Sequence, residues 1–174
     1  MVLNYKAHKE GPTHMLVKSR ITLAAALFAL LITPLPQAAA QMTQPFVRKH
    51  LYDVNANPRA DISVALKQAK AQKKRVILDF GGDWCGDCLV LDMYMHQSPN
   101  GELLSKHYIV VHIDIGHMDH NVDIAEKYKV PIKKGVPALA VLDANGKLLY
   151  SQEDKEFEYA TPSHITAFLN RWKA

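Results

Sequence analysis

Apolar and polar positions along the chain fall into two patterns, helical spacing and short continuous apolar runs. Helical spacing follows the turn-forming pair Asn57-Pro58 and predicts a helix over residues 61–73, with Asp61 as its N-cap. Apolar runs without alternation are typical of strands that are covered on both faces. Such runs predict strands at residues 75–80, 108–115 and 138–143.

The remaining segments predict four more helices and a hairpin. Pro99 and Pro162 stand where a helix can begin, and Asn145-Gly146 favours the positive φ angles of a tight hairpin turn. The alternation of strands and helices predicts an α/β fold with a central mixed sheet and helices on both faces. The predicted helices are residues 85–95, about 99–106, 121–128 and one from 161 onward, and the hairpin adds a strand at 148–152.

The N-terminal residues have the three parts of a secretory signal. Lys18 and Arg20 precede an apolar run at 21–32, and small residues follow at 38–40. An apolar run of this length is too short to span a bilayer as a helix. We therefore expect residues 1–40 to be a cleaved signal peptide, with Met15 as an alternative start and an uncleaved anchor as the alternative.

Composition fits one ordinary domain behind that leader. The 174 residues are 48% hydrophobic and 22% charged, which suffices for a packed core. The first 40 residues hold four of the 21 basic residues and one of the 17 acidic ones, so the rest carries a net charge of about +1. No basic stripe with interleaved aromatic residues occurs, and nucleic-acid binding is not expected. Residues 41–57 are expected to be an extended arm and residues 58–174 the domain.

The chain has two cysteines, Cys85 and Cys88, in Trp84-Cys85-Gly86-Asp87-Cys88 at a predicted helix start. Free backbone N–H groups and the helix dipole favour the thiolate of the first cysteine, which is the nucleophile. We expect Cys85 to attack and Cys88, one turn inside, to resolve the mixed disulfide. Gly86 keeps the approach open, and Trp84 offers a flat surface on which a substrate can lie.

Two other interpretations of the cysteine pair stay open at this point. It is half of a zinc site if histidines complete it, or it is an inert structural disulfide. The order of strand, turn, cysteine pair and helix favours redox chemistry over both.

Two stretches of sequence resemble the thioredoxin family. Residues 78–88 read LDFGGDWCGDC, similar to the family's strand, buried Asp and Trp-Cys-Gly-Pro-Cys, and residues 135–138 read GVPA, similar to its cis-proline loop. Asn145-Gly146-Lys147 matches its hairpin. The helix at 62–73 and the segment 95–106 also resemble periplasmic thiol-disulfide interchange domains. The resemblance implies a thioredoxin-like fold with the cysteine pair at a helix N-terminus.

The resemblance also assigns roles. Asp79 corresponds to the buried acid that takes and returns the proton of the second cysteine, and burial suits a carboxylate to that role. Pro137 is expected to be cis, so that Val136 offers its backbone to an extended substrate peptide. The alternatives are an exposed Asp79 at a strand end and an ordinary trans proline.

Two residues depart from the family pattern. Asp87 stands where thioredoxins have proline, and its charge opposes thiolate formation at Cys85. This favours reduction or isomerisation over strong oxidation. His112 stands where thioredoxins often have a lysine near the buried acid, so it either shares the proton relay or is simply packed.

Further histidines raise a metal-binding alternative. His107, His117 and His120 lie close to His112 in the sequence, with His96 nearby. Solvated loop histidines that lie away from the cysteines are the simpler interpretation. The competing hypothesis is a copper or other metal chaperone that uses Cys85, Cys88 and a histidine.

The sequence therefore predicts an exported, periplasmic thiol-disulfide oxidoreductase of the protein-disulfide reductase type. It is expected to need no organic cofactor and no metal, because the cysteine pair carries two electrons. Its expected partners are protein thiols and disulfides and a redox protein that resets the pair. We expect a monomer. The substrate and the direction of electron flow stay open.

Overall fold

The structure, a computed structural model, describes residues 50–174, and in that part of the chain four strands form one mixed sheet. The order in the sheet is β2-β1-β3-β4, with β2 parallel to β1, β3 antiparallel to β1, and β4 antiparallel to β3. The predicted fold class is confirmed. The strands are β1 (Arg75–Gly81), β2 (Tyr108–Asp114), β3 (Ala138–Leu142) and β4 (Leu148–Ser151).

Helices cover both faces of this sheet, as predicted. Alternate residues of β1 enter two different cores, because successive side chains of a strand point to opposite faces. Val76, Leu78 and Phe80 pack with α1 and α4, whereas Ile77 packs with α2, α3 and α5. The helices are α1 (Pro58–Gln72), α2 (Gly86–His96), α3 (Asn100–His107), α4 (Val122–Lys127) and α5 (Pro162–Trp172), and Ile132–Lys134 form a short 3-10 helix that the sequence did not indicate.

The first helix begins three residues earlier than predicted. Its N-cap is Asn57, whose side chain accepts a hydrogen bond from the Ala60 N–H at 3.2 Å, so the assignment of Asp61 as the cap was wrong. Pro58 is suited to the first helical position since it has no N–H that needs a partner. Asp61 lies in the first turn instead, where its charge complements the helix dipole.

Residues 50–57 also differ from the predicted extended arm. They contain bends and a turn, and Tyr52 is 1% exposed. We call this segment the N-terminal strap. The predicted signal peptide, residues 1–40, and the rest of the arm lie outside the described residues. Within residues 50–174, no helix combines the length and the apolarity needed to cross a membrane.

One buried amide joins three of the helices around the cysteine pair. Asn100, fully buried, donates from Nδ2 to the carbonyl oxygens of Tyr94 at 2.9 Å and Pro162 at 3.1 Å. Its Oδ1 accepts from the Thr166 hydroxyl at 2.6 Å. The amide therefore fixes α2 against α3 and α5.

We predict that Asn100→Ala lowers the free energy of unfolding by about 2 kcal/mol, because buried polar groups lose their partners. Urea unfolding measures this loss. Asn170→Ala is the matched control, since Asn170 is exposed and its side chain bonds only to neighbours in the sequence, the Thr166 carbonyl and the Lys173 ammonium group. A loss for Asn170→Ala as large as that for Asn100→Ala would contradict the assigned role.

Candidate active site

The two cysteines form a disulfide at the N-terminus of α2, with their Cα atoms 5.3 Å apart. Cys85 is the N-cap residue in extended backbone, and the Cys88 N–H points to its sulfur at 3.2 Å. Cys85 is 7% exposed and Cys88 is fully buried. Gly86 is exposed, and a Cβ there would meet no heavy atom within 4 Å. The outer sulfur is therefore that of Cys85.

A cleft adjoins the outer sulfur. Cys85 Sγ lies 3.6 Å from the Val136 carbonyl oxygen, and the Val136–Pro137 peptide bond is cis, as predicted. Trp84 is half exposed, and its Nε1 donates to the Gly116 carbonyl at 2.7 Å. The structure thus brings Trp84, Val136 and Pro137 together around Cys85, and all three line the cleft.

One histidine lies closer to this cleft than expected. The His117 ring stacks on Trp84, with ring centroids 5.4 Å apart and planes at 28°. The expectation that the loop histidines lie away from the cysteines was wrong for His117, because the Trp84–Gly116 hydrogen bond draws its loop to the tryptophan. His120 Nδ1 lies 3.4 Å from Asp114 Oδ2. Among residues 50–174, no group of three or more histidine, cysteine or acidic side chains is arranged to hold a metal ion.

The acidic side chain on β1 is fully buried. Asp79 Oδ2 accepts a hydrogen bond from the Tyr52 hydroxyl at 2.8 Å and lies 2.9 Å from His112 Nδ1. Asp79 Oδ1 is buried and has no hydrogen-bond partner within the described part of the chain. The alternative of an exposed carboxylate at a strand end is therefore excluded.

Tyr52 was missed by the sequence analysis. It packs against both cysteines in one buried cluster. A Cβ on Gly81 would stand 2.7 Å from the Tyr52 hydroxyl and 2.8 Å from Cys88 Sγ, so Gly81 permits the close approach of ring and sulfur. Burial, followed by the charge and hydrogen bond of Asp79, raises the pKa of Tyr52 well above its ordinary value. The phenol thus stays a hydrogen-bond donor at any physiological pH.

Asp83 anchors the strap that carries Tyr52. Its Oδ1 accepts the backbone N–H groups of Leu51 at 3.0 Å and Tyr52 at 3.1 Å, and its Oδ2 lies 2.9 Å from His50 Nδ1. Burial opposes ionisation of Asp83, but the hydrogen bonds from Tyr52, His50 and Leu51 outweigh it and lower the pKa of Asp83. The strap is therefore tied to the turn that leads into Trp84 and Cys85.

His112 connects the buried acid to a second carboxylate. His112 is partly buried, and its Nε2 lies 3.8 Å from Asp92 Oδ1. That oxygen is itself buried, and it lies 3.1 Å from Nδ1 of the exposed His96. Titratable groups thus follow one another from Asp79 to the surface of α2. Neither Asp92 nor His96 carried a sequence signal for this arrangement.

The acidic residue inside the cysteine motif is half buried. Asp87 lies in the first turn of α2, between Gly86 and Cys88. A negative charge at a helix N-terminus stabilises the helix. The same charge disfavours a thiolate at Cys85, since the two anions repel each other.

Known proteins resemble the chain in sequence and in fold. A family model described as thioredoxin-like matches residues 57–144, half of the chain. The crystal structure of a disulphide isomerase from Xylella fastidiosa Temecula1 is similar with a TM-score of 0.66 and 32% identity, over 70% of this chain and 95% of that one.

Two curated proteins match as well. The thiol:disulfide interchange protein DsbD of Klebsiella pneumoniae is 26% identical over 155 residues, which are 88% of this chain and 24% of that protein. A thioredoxin H-type of Fagopyrum esculentum is 32% identical over 78 residues, which are 44% of this chain and 58% of that protein. The chain therefore matches about a quarter of the first protein and over half of the second.

The contact at Gly81 gives a test of the site's packing. We predict that Gly81→Ala lowers the free energy of unfolding of the oxidised protein by about 1–3 kcal/mol, because the methyl group displaces Tyr52 or Cys88. Urea unfolding measures it. Gly86→Ala is the matched control, since open space surrounds that position and alanine favours a helix, so it should be neutral or stabilising by up to about 1 kcal/mol. Equal losses in both variants would refute the close approach.

Proposed function

The chain belongs to the thioredoxin-like family, and we propose that it is a thiol-disulfide oxidoreductase with Cys85 and Cys88 as its redox pair. One observation carries this proposal. The two sulfurs are bonded at a helix N-terminus. The outer one lies 3.6 Å from the carbonyl of Val136, which lines a cleft, and the inner one is buried. Tyr52, which packs on both cysteines, bonds to the buried Asp79 on β1. An inert structural disulfide has no need of an adjoining cleft or of a buried acid.

The reaction proceeds through a mixed disulfide. In the reducing direction, the Cys85 thiolate attacks one sulfur of a substrate disulfide, and the other substrate sulfur leaves as a thiolate. Cys88 then gives its proton to Asp79 and attacks Cys85, which releases the second substrate thiolate. Two electrons pass from the cysteine pair to the substrate. A redox protein resets the pair by the reverse steps, and no organic cofactor is required.

The cleft beside Cys85 fits an extended peptide. The Val136 carbonyl faces the outer sulfur, and a peptide laid along Val136 and Pro137 would bond to the backbone as an added strand does. Trp84 also lines this cleft. We therefore propose protein thiols and disulfides as substrates, bound mainly through backbone contacts.

We also propose that the protein is exported, to the periplasm or an equivalent compartment, and acts as a monomer. The order of basic, apolar and small residues in 1–40 supports export. A reducing or isomerising role is favoured, because the charge of Asp87 opposes a strongly acidic Cys85 and because a relative is described as a disulphide isomerase.

A metal chaperone using Cys85, Cys88 and a histidine is the alternative, and no observation favours it. His112 is engaged with Asp79, and His117 stacks on Trp84. Metal analysis of untagged protein separates the two functions, since a chaperone retains stoichiometric metal and exchanges disulfides negligibly.

The cysteines should behave differently when replaced. We predict that Cys85→Ser reduces insulin-disulfide reduction to the uncatalysed rate, because it removes the attacking sulfur. Cys88→Ser keeps the first attack but cannot resolve it, so a mixed disulfide on Cys85 accumulates and is detected by mass spectrometry. Undiminished activity of Cys85→Ser would eliminate the proposed function.

The charge of Asp87 should raise the pKa of the Cys85 thiol in the reduced protein. We predict that Asp87→Asn lowers that pKa by roughly 0.5, because the nearby like charge is removed. Ultraviolet thiolate titration measures it. Asp61→Asn, an exposed first-turn aspartate on the opposite face of the sheet, is the control and should leave the titration unchanged. A Cys85 pKa that is the same in Asp87→Asn and the unchanged protein would contradict the assigned role.

A further inference from the structure

We propose that Tyr52 is a positioning residue for the redox reaction. Its phenol orients the Asp79 carboxylate, and its ring shields that carboxylate from water on the side of the N-terminal strap. The inference rests on the proposed function and deepens it. This tyrosine lies before residues 57–144, which the family model matches, and outside the helices and strands that the sequence predicted.

The contacts of Asp79 are divided unequally between its two oxygens. Tyr52 and His112 both approach Oδ2, at 2.8 Å and 2.9 Å. Oδ1 is buried and has no hydrogen-bond partner within residues 50–174. A carboxylate held at one oxygen presents the other as its free proton acceptor. Tyr52 thus leaves Oδ1 as the atom that receives a proton.

The proton in question is that of Cys88. Tyr52 and Cys88 Sγ crowd the same point above Gly81, and the Tyr52 hydroxyl bonds to Asp79, so the tyrosine contacts both the inner cysteine and the acid. When Cys88 resolves a mixed disulfide, its S–H bond breaks and the proton passes to Asp79 Oδ1. The new bond forms between Cys88 and Cys85, and the substrate sulfur leaves with the electron pair of its bond to Cys85.

The N-terminal strap connects Tyr52 to the turn that precedes Cys85. Asp83 accepts the N–H groups of Leu51 and Tyr52, and Asp83 directly precedes Trp84. Any movement of the turn before Cys85 therefore moves the tyrosine with it. A tyrosine 1% exposed also prevents water from reaching Asp79 from this side.

Several titratable groups surround Asp79, and the test must separate them. Tyr52 comes from the strap, Asp83 from the turn, His112 from β2, and Cys88 and Asp92 from α2. In the oxidised protein Cys88 does not titrate. The ¹³Cγ chemical shift of Asp79 reports its own carboxyl group, so protonation of His112 is not mistaken for it.

The test is a ¹³Cγ titration of Asp79 in the oxidised protein, assigned with Asp79→Asn. Tyr52→Phe keeps the ring and removes only the hydroxyl. An ionised carboxylate that loses a donor is less stable, so the midpoint of the titration should move to higher pH by about one pH unit. In the reduced protein, the pH at which resolution of a mixed disulfide is half-maximal should move in the same direction.

Tyr108→Phe is the matched control. Tyr108 is also buried, and its hydroxyl donates to the Leu169 carbonyl at 2.6 Å, away from the disulfide. It should lose comparable stability and leave the Asp79 midpoint unchanged. Asp83→Ala, which releases the strap, should move the midpoint as Tyr52→Phe does, whereas Asp83→Asn keeps an acceptor oxygen and should restore it towards its original value.

The outcomes distinguish this inference from the proposed function. If the unchanged protein neither reduces insulin disulfides nor oxidises a reduced peptide, the proposed function is wrong. Thermal unfolding shows whether Tyr52→Phe is folded. If the unchanged protein is active and folded Tyr52→Phe gives the original Asp79 midpoint, Tyr52 has a structural role only. An equal movement of the midpoint in Tyr108→Phe would also overturn the proposal, because the effect would then be general.

Discussion

The burial of the Asp79 carboxylate behind the disulfide is the constraint on which the rest of the site depends. An ionised group without water costs several kcal/mol unless it is hydrogen-bonded. The protein meets this cost with two donors from separate segments, Tyr52 and His112, both on one oxygen. The second oxygen has no hydrogen-bond partner in the described residues, so it is the oxygen that is open to a proton.

That arrangement requires three chain segments to meet at one point, and the turn after β1 makes this possible. Gly81 ends the strand without a side chain, so the tyrosine ring and the inner sulfur both approach its backbone. Two residues later Asp83 ties the strap down, and two residues after that Cys85 begins the helix cap. The same turn therefore helps to position Asp79, Tyr52 and Cys85.

How far the sequence predicts this site depends on how local each signal is. Cys85 and Cys88 stand out because their spacing and helix start are local, and Asp79 and Pro137 follow from resemblance to a family. Tyr52 is different, since its partner is 27 residues away and its own segment has no periodicity. The N-cap of α1 was misplaced although its signal is local. Local patterning does not distinguish a cap at Asn57 from an acidic residue in the first turn, such as Asp61.

The geometry separates the path of electrons from the path of protons. In the proposed reaction, electrons pass through the outer sulfur, on the side of Trp84 and the cis peptide bond. In that reaction the proton leaves from Cys88, which is fully buried. The strap covers one side of Asp79. On another side, His112 and Asp92 continue the series of titratable groups to the surface of α2, and their nearest atoms lie 3.8 Å apart. A buried resolving cysteine thus needs an internal base, and that base in turn needs fixed neighbours. In the proposed reaction, holding Asp79 in place is therefore part of the chemistry as well as of the fold.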